Sequence, residues 1–64
     1  MTEIDIWRAA YLMLRWYGAT AQAESVRRAD EFAAAGDSKG EAGWRRVIEV
    51  IGQLANMKPG GPLH

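Results

Sequence analysis

The sequence predicts an all-α fold, a small three-helix up-down-up bundle with a disordered C-terminal tail. Three observations point there. Apolar residues recur at helical spacing in three segments, each opened by a capping residue and closed by glycine or proline. No stretch alternates apolar and polar residues between turn signals, as a strand would. The links between segments are short, about two to five residues, which sets neighbouring helices roughly antiparallel. The expected layout is one domain over residues 1–57, with helices at about 3–17, 21–35 and 39–57. A flexible tail is expected over residues 58–64.

The first helix opens with Thr2 as a cap and Asp5 three residues later, a variant of the capping box. Glu3 and Asp5 suit the positive end of the helix dipole. Gly18 accepts the left-handed conformation that ends a last turn. Between them lies a helix far too apolar for so small a domain. At about 100° per residue only Arg8 and Arg15 share a clearly polar strip. The apolar side chains from Ile6 to Tyr17 spread over roughly 260°, against a usual stripe of ≳100°. Either this helix sits between two others, or part of it meets a second protein. The sector of Ile6, Ala10, Met13 and Tyr17 suits a wedged helix, and the Trp7 and Leu14 flank suits one of the neighbours. The surplus is the edge formed by Ala9, Leu12 and Trp16.

Thr20 is placed to cap the second helix, four alanines (Ala29, Ala33, Ala34, Ala35) favour it, and Gly36 stops it. Its expected buried face holds Ala19, Ala23, Val26, Ala29 and Ala33, and Asp30 projects along that same face. A buried carboxylate there has two readings. One is a raised pKa, since burial disfavours the charged form. The other is a pair with Arg27, an arginine of the third helix or a tryptophan indole N–H, because buried charges are nearly always partnered.

Gly36-Asp37-Ser38-Lys39-Gly40 is a turn by composition. Ser38 and Glu41 have capping-box spacing and open the third helix. Trp44, Val47, Ile48, Ile51, Leu54 and Ala55 form its apolar face, and Lys58 to Pro62 ends it. Gly52 beside that face costs about 1 kcal/mol against alanine, so its expected role is to let a neighbour approach. Phe32 lies roughly 120° off the buried face of its helix, and Val50 is similarly displaced on the third. With Ala9, Leu12 and Trp16 they are the candidate protein interface, if the fold brings them to one side.

Composition removes several function classes. Sixty-four residues make one domain near the lower size limit for folding alone. No cysteine is present, so there is no thiol nucleophile, disulfide or zinc-thiolate site. His64 stands alone near the end, so no metal site or cofactor is expected. Eight basic and eight acidic side chains cancel. That balance disfavours a nucleic-acid binder and a polybasic membrane peptide alike. The acidic start is unlike a secretory signal, and the longest apolar run, Ala9 to Leu14, is far short of the ~20 residues of a membrane span. A cytoplasmic protein is expected. Arg27, Arg28, Arg45 and Arg46 support the alternative of a nucleic-acid-associated regulator, although Glu24, Glu31 and Glu49 are spaced to pair with them. The 36–40 turn lacks the spacing of a phosphate loop.

The succession Trp7, Ala10, Tyr17-Gly18, Ala23, Arg28-Ala29-Asp30-Glu31, Ala35-Gly36-Asp37, Gly40, Trp44 and Ile48 resembles a family of short bacterial proteins of unknown function. The resemblance spans about residues 5 to 56. It implies a helical fold and no assigned activity, and it adds no site residues. A looser likeness to a tetratricopeptide hairpin fails its signature, because Ala10 and Tyr11 stand where Leu and Gly belong. The expected function is therefore non-enzymatic: protein–protein contact, most simply self-association as a homodimer.

Overall fold

The computed structural model describes residues 2–56; the expected end of the third helix at residue 57 and the expected tail over 58–64 lie outside them. Among the described residues the backbone is helical almost throughout and contains no strand. Counted by breaks in the helical backbone there are two stretches, residues 3–34 and 38–56, rather than three separate helices. The first stretch changes direction without losing its hydrogen bonding. It comprises α1 (Glu3–Tyr17), a 3₁₀ turn (Gly18–Thr20) and α2 (Ala21–Ala34); the second stretch is α3 (Ser38–Asn56).

Each boundary has a local cause. Thr2 Oγ1 accepts the Asp5 N–H at 3.2 Å and caps α1. Gly18 takes φ 53° and donates its N–H to the Leu14 carbonyl, closing the helix. Thr20 does not cap α2 as its position suggests. Its hydroxyl donates to the Tyr17 carbonyl at 2.9 Å, so it serves the end of α1 and not the start of α2. That bond tightens the link into a 3₁₀ turn, which feeds straight into α2. At the far end of α2, Gly36 at φ 78° donates to the Ala33 carbonyl, and the Asp37 N–H reaches the Phe32 carbonyl at 2.9 Å. This is a Schellman closure. The cap of α3 is Asp37, one residue before the expected Ser38: its Oδ1 accepts the Gly40 N–H at 2.9 Å.

The longest seam joins α2 and α3, which run antiparallel. Phe32 meets Gly40, Asp30 meets Arg45, and the Gln22 side-chain amide donates to the Ile48 carbonyl. The face of α2 in this seam is the row Ala21, Ser25 and Ala29, all buried. Ser25 is a polar residue with no exposure, and its hydroxyl donates to the Ala21 carbonyl at 2.8 Å, so burial leaves it satisfied. The expected face of Ala19, Ala23, Val26 and Ala33 is exposed instead. The observed face is rotated from Val26 and Ala33 by roughly 90°. Alanine caused the error, because it occupies every side of α2 and so marks none.

One core cluster joins Ile6, Ala10 and Met13 of α1, Ala21 of α2, and Val47, Val50 and Ile51 of α3. Val50, expected off the buried face, is fully buried. The reason is that α3 has two neighbours. About 60° to one side of Val47, Trp44 turns toward α2, where Arg28 lies over its ring; about 60° to the other, Val50 joins the α1 residues. A projection centred on one partner misses the second.

Candidate interaction surface

Three of the four residues expected on the inner sector of α1 face neighbours, and the fourth, Tyr17, is exposed. Ile6, Ala10 and Met13 are buried, and Trp7, Ala9 and Leu14 pack half-buried against the core. Away from that sector the helix stays apolar. Ile4 is 70 % exposed, Tyr11 56 % and Trp16 66 %, and Leu12 is half-buried. Asp5, Ala9, Leu12 and Trp16 fall within an arc of about 60° that forms a continuous edge, and Arg8 lies about 40° beyond Leu12. Ile4, Tyr11 and Arg15 share the outermost side, where the Arg15 guanidinium sits 6.0 Å from the Tyr11 ring centre.

The charges of this helix differ from those elsewhere. All four arginines of α2 and α3 are in ion pairs. Arg27 meets Glu31 at 3.9 Å, Arg28 meets Glu24 at 3.5 Å, and Arg45 meets Glu41 at 3.1 Å and Asp30 at 3.3 Å. Arg46 meets Glu3 at 2.6 Å and Glu49 at 3.0 Å. Hydrogen bonds that Arg45 donates to Glu41 and Asp30 hold its pKa above its ordinary range, and the bond Arg46 donates to Glu3 does the same for Arg46, so both keep their charge. On α1, by contrast, Asp5, Arg8 and Arg15 have no ion-pair partner among the described residues. The Trp7 indole donates to Glu3 at 3.3 Å, whereas the Trp16 indole makes no hydrogen bond among the described residues.

The five residues expected to form one interface do not assemble. Ala9, Leu12 and Trp16 share the edge of α1 just described. Val50 is in the core, and Phe32 lies half-buried against Gly40 beside the α2–α3 turn. Trp16 is one residue from the end of α1, at the opposite end of α2 from Phe32. Asp30, expected to be buried, has a side chain 64 % exposed and receives Arg45 Nη2. The same rotation of α2 that exposes Val26 carries Asp30 outward, which leaves it as one partner of a surface pair. Sequence reasoning missed the isolation of the α1 charges, and for Arg15 a signal existed. No acidic residue lies three or four positions from it on the helix.

Arg28 of α2 meets side chains of α1 and α3 at one point. Its guanidinium lies 5.4 Å from the Trp44 ring centre and 5.9 Å from that of Tyr17, and Nη2 donates to the Tyr17 hydroxyl at 3.1 Å. Its Nε is buried, and Glu24 at 3.5 Å is too poorly aligned to accept from it. Shallow clefts lie among the described residues. One, of about 330 Å³, is lined by Glu24, Arg27, Arg28, Glu31, Phe32 and Trp44. Another, of about 400 Å³, runs along α3 among Ser38, Glu41, Ala42, Arg45, Arg46 and Glu49. In both the charges are already matched to one another. Among the described residues no three His, Asp or Glu side chains are grouped to hold a metal ion, and no helix is long and apolar enough to cross a membrane.

No protein-family model, curated protein or solved structure matches this chain.

Proposed function

We propose that the chain is an up-down-up three-helix bundle that acts without catalysis, by protein–protein contact through the Ala9, Leu12 and Trp16 edge of α1, and that its simplest partner is a second copy. The observation carrying this reading is Trp16, 66 % exposed at the end of an apolar edge in a domain with little core to spare. Covering what remains open of one tryptophan contributes about 3 kcal/mol at 25 cal/mol per Å², before association costs. An edge one helix wide and about 17 Å long makes a small interface, below about 1,200 Å² in total, which suits a weak, concentration-dependent dimer. Light scattering on the separated protein and on Trp16→Ser tests it. The unaltered chain should gain mass with concentration, and Trp16→Ser should stay at monomer mass with its helix content intact. Equal association by both proteins would remove the reading.

The paired state of Arg27, Arg28, Arg45 and Arg46 leaves no observation that favours the nucleic-acid alternative.

A further inference from the structure

We propose that two copies pack α1 against α1 in antiparallel fashion about a two-fold axis, with Asp5 of each copy facing Arg15 and the Trp16 indole N–H of the other. This arrangement rests on the self-association reading and specifies its geometry. The argument starts from the stranded groups. Asp5, Arg8 and Arg15 are the charges of α1 without a partner among the described residues, and the Trp16 indole is without an acceptor there. Asp5 stands in the first turn of the helix and Arg15 in the last, with Arg8 between them.

That order is self-complementary only when one helix is reversed. Residue 5 and residues 15–16 lie about 8 Å to either side of the midpoint between Ala9 and Leu12. A two-fold axis through that midpoint brings Asp5 opposite Trp16 of the second copy, while the long Arg15 side chain, rooted about 80° round the helix toward its outer side, reaches the same carboxylate from the flank; symmetry repeats the contact at the other end. Ala9 then sits across from Leu12, a small residue against a large one, which lets the two backbones approach. Arg8 comes beside the apolar strip at the centre, where its stem can cover Leu12 while its head stays in water. The Trp16 N–H gains the carboxylate it lacks, which is how a half-wet tryptophan is usually satisfied. Reversal also sets the helix dipoles against each other. A parallel pairing would place Asp5 on Asp5 and leave each Trp16 indole far from any carboxylate of the other copy. An anionic membrane surface suits the edge less well, since its carboxylate would be repelled.

Charge reversal tests this by sedimentation, with circular dichroism confirming helix content. Asp5→Arg and Arg15→Asp should each weaken the dimer by about tenfold, because each turns two attractive contacts repulsive. The double variant Asp5→Arg/Arg15→Asp should recover at least about threefold over either single variant, short of the unaltered chain because the Trp16 indole then loses its carboxylate and both charges oppose the helix dipole. An equimolar mixture of the two single variants should pair where each alone does not. The neutral variants Asp5→Asn and Arg15→Gln, which disturb the helix ends less, should each cost a smaller factor. A dimer indifferent to the single reversals, or a double variant as weak as the singles, overturns the antiparallel arrangement while leaving dimerisation standing. A monomeric unaltered chain overturns the self-association reading itself.

Discussion

The α2–α3 seam and the outer edge of α1 are built from similar residue types and end in opposite states. In the seam, small side chains (Ala21, Ser25, Ala29) let two helices meet, Ser25 finds a carbonyl, and Arg45 of α3 meets Asp30 of α2, while the other arginines of these helices pair with carboxylates beside it. On the edge, Ala9, Leu12 and Trp16 are bordered by Asp5, Arg8 and Arg15, and none of those charges is matched among the described residues. The difference is one of neighbours rather than composition. α3 lies between α1 and α2 and is covered on two sides, whereas α1 uses only its inner sector within the chain. A helix whose apolar surface spans much more than its contact arc is left with surface that a second molecule can cover.

Substitutions on either side should separate the two regions by their readouts. The largest effect on folding is expected at Met13, which is buried among α1 and α3 residues. Met13→Ala should cost about 2–4 kcal/mol in urea unfolding, enough to leave so small a domain close to unfolded. Next is Gly40→Ala. A Cβ there would stand 2.5 Å from Phe32 Cδ1 and 2.9 Å from Asp37 Oδ2, so the half-buried ring or the cap must shift. Overpacking costs about 1–3 kcal/mol, offset by about 1 kcal/mol of better helix propensity, for a net loss near 1 kcal/mol. Arg28→Ala removes two ring contacts and the Tyr17 hydroxyl bond, and should lower stability by about 1 kcal/mol. The smallest folding effect is expected on the edge: Trp16→Ser, measured where the chain is monomeric, should change stability by less than about 0.5 kcal/mol. If Trp16→Ser instead destabilises the monomer as Met13→Ala does, the edge belongs to the core and the contrast collapses.

What could be read from the residues follows from how much each one says about its surroundings. Gly18 and Gly36 were legible as stops because a positive φ admits few other residues. Val47, Ile51 and the inner sector of α1 were legible because large apolar residues at helical spacing name a face. The buried face of α2 was not, since alanine is at home in a core, on a surface or in any helix, and the decisive row included Ser25. Asp30 followed that misplaced face. Val50 was misjudged because a helical projection assumes one partner, and α3 has two. The candidate surface was half legible. Its apolar half (Ala9, Leu12, Trp16) shows in the width of the apolar arc. Its charged half depends on which acids reach which arginines in space, and for Arg8 no spacing rule decides that.

Sedimentation equilibrium on the unaltered chain, from low micromolar to near millimolar concentration, tests the central claim most directly. The edge of α1 predicts a mass that rises from that of one chain toward that of two. A single-chain mass across the whole range would contradict it.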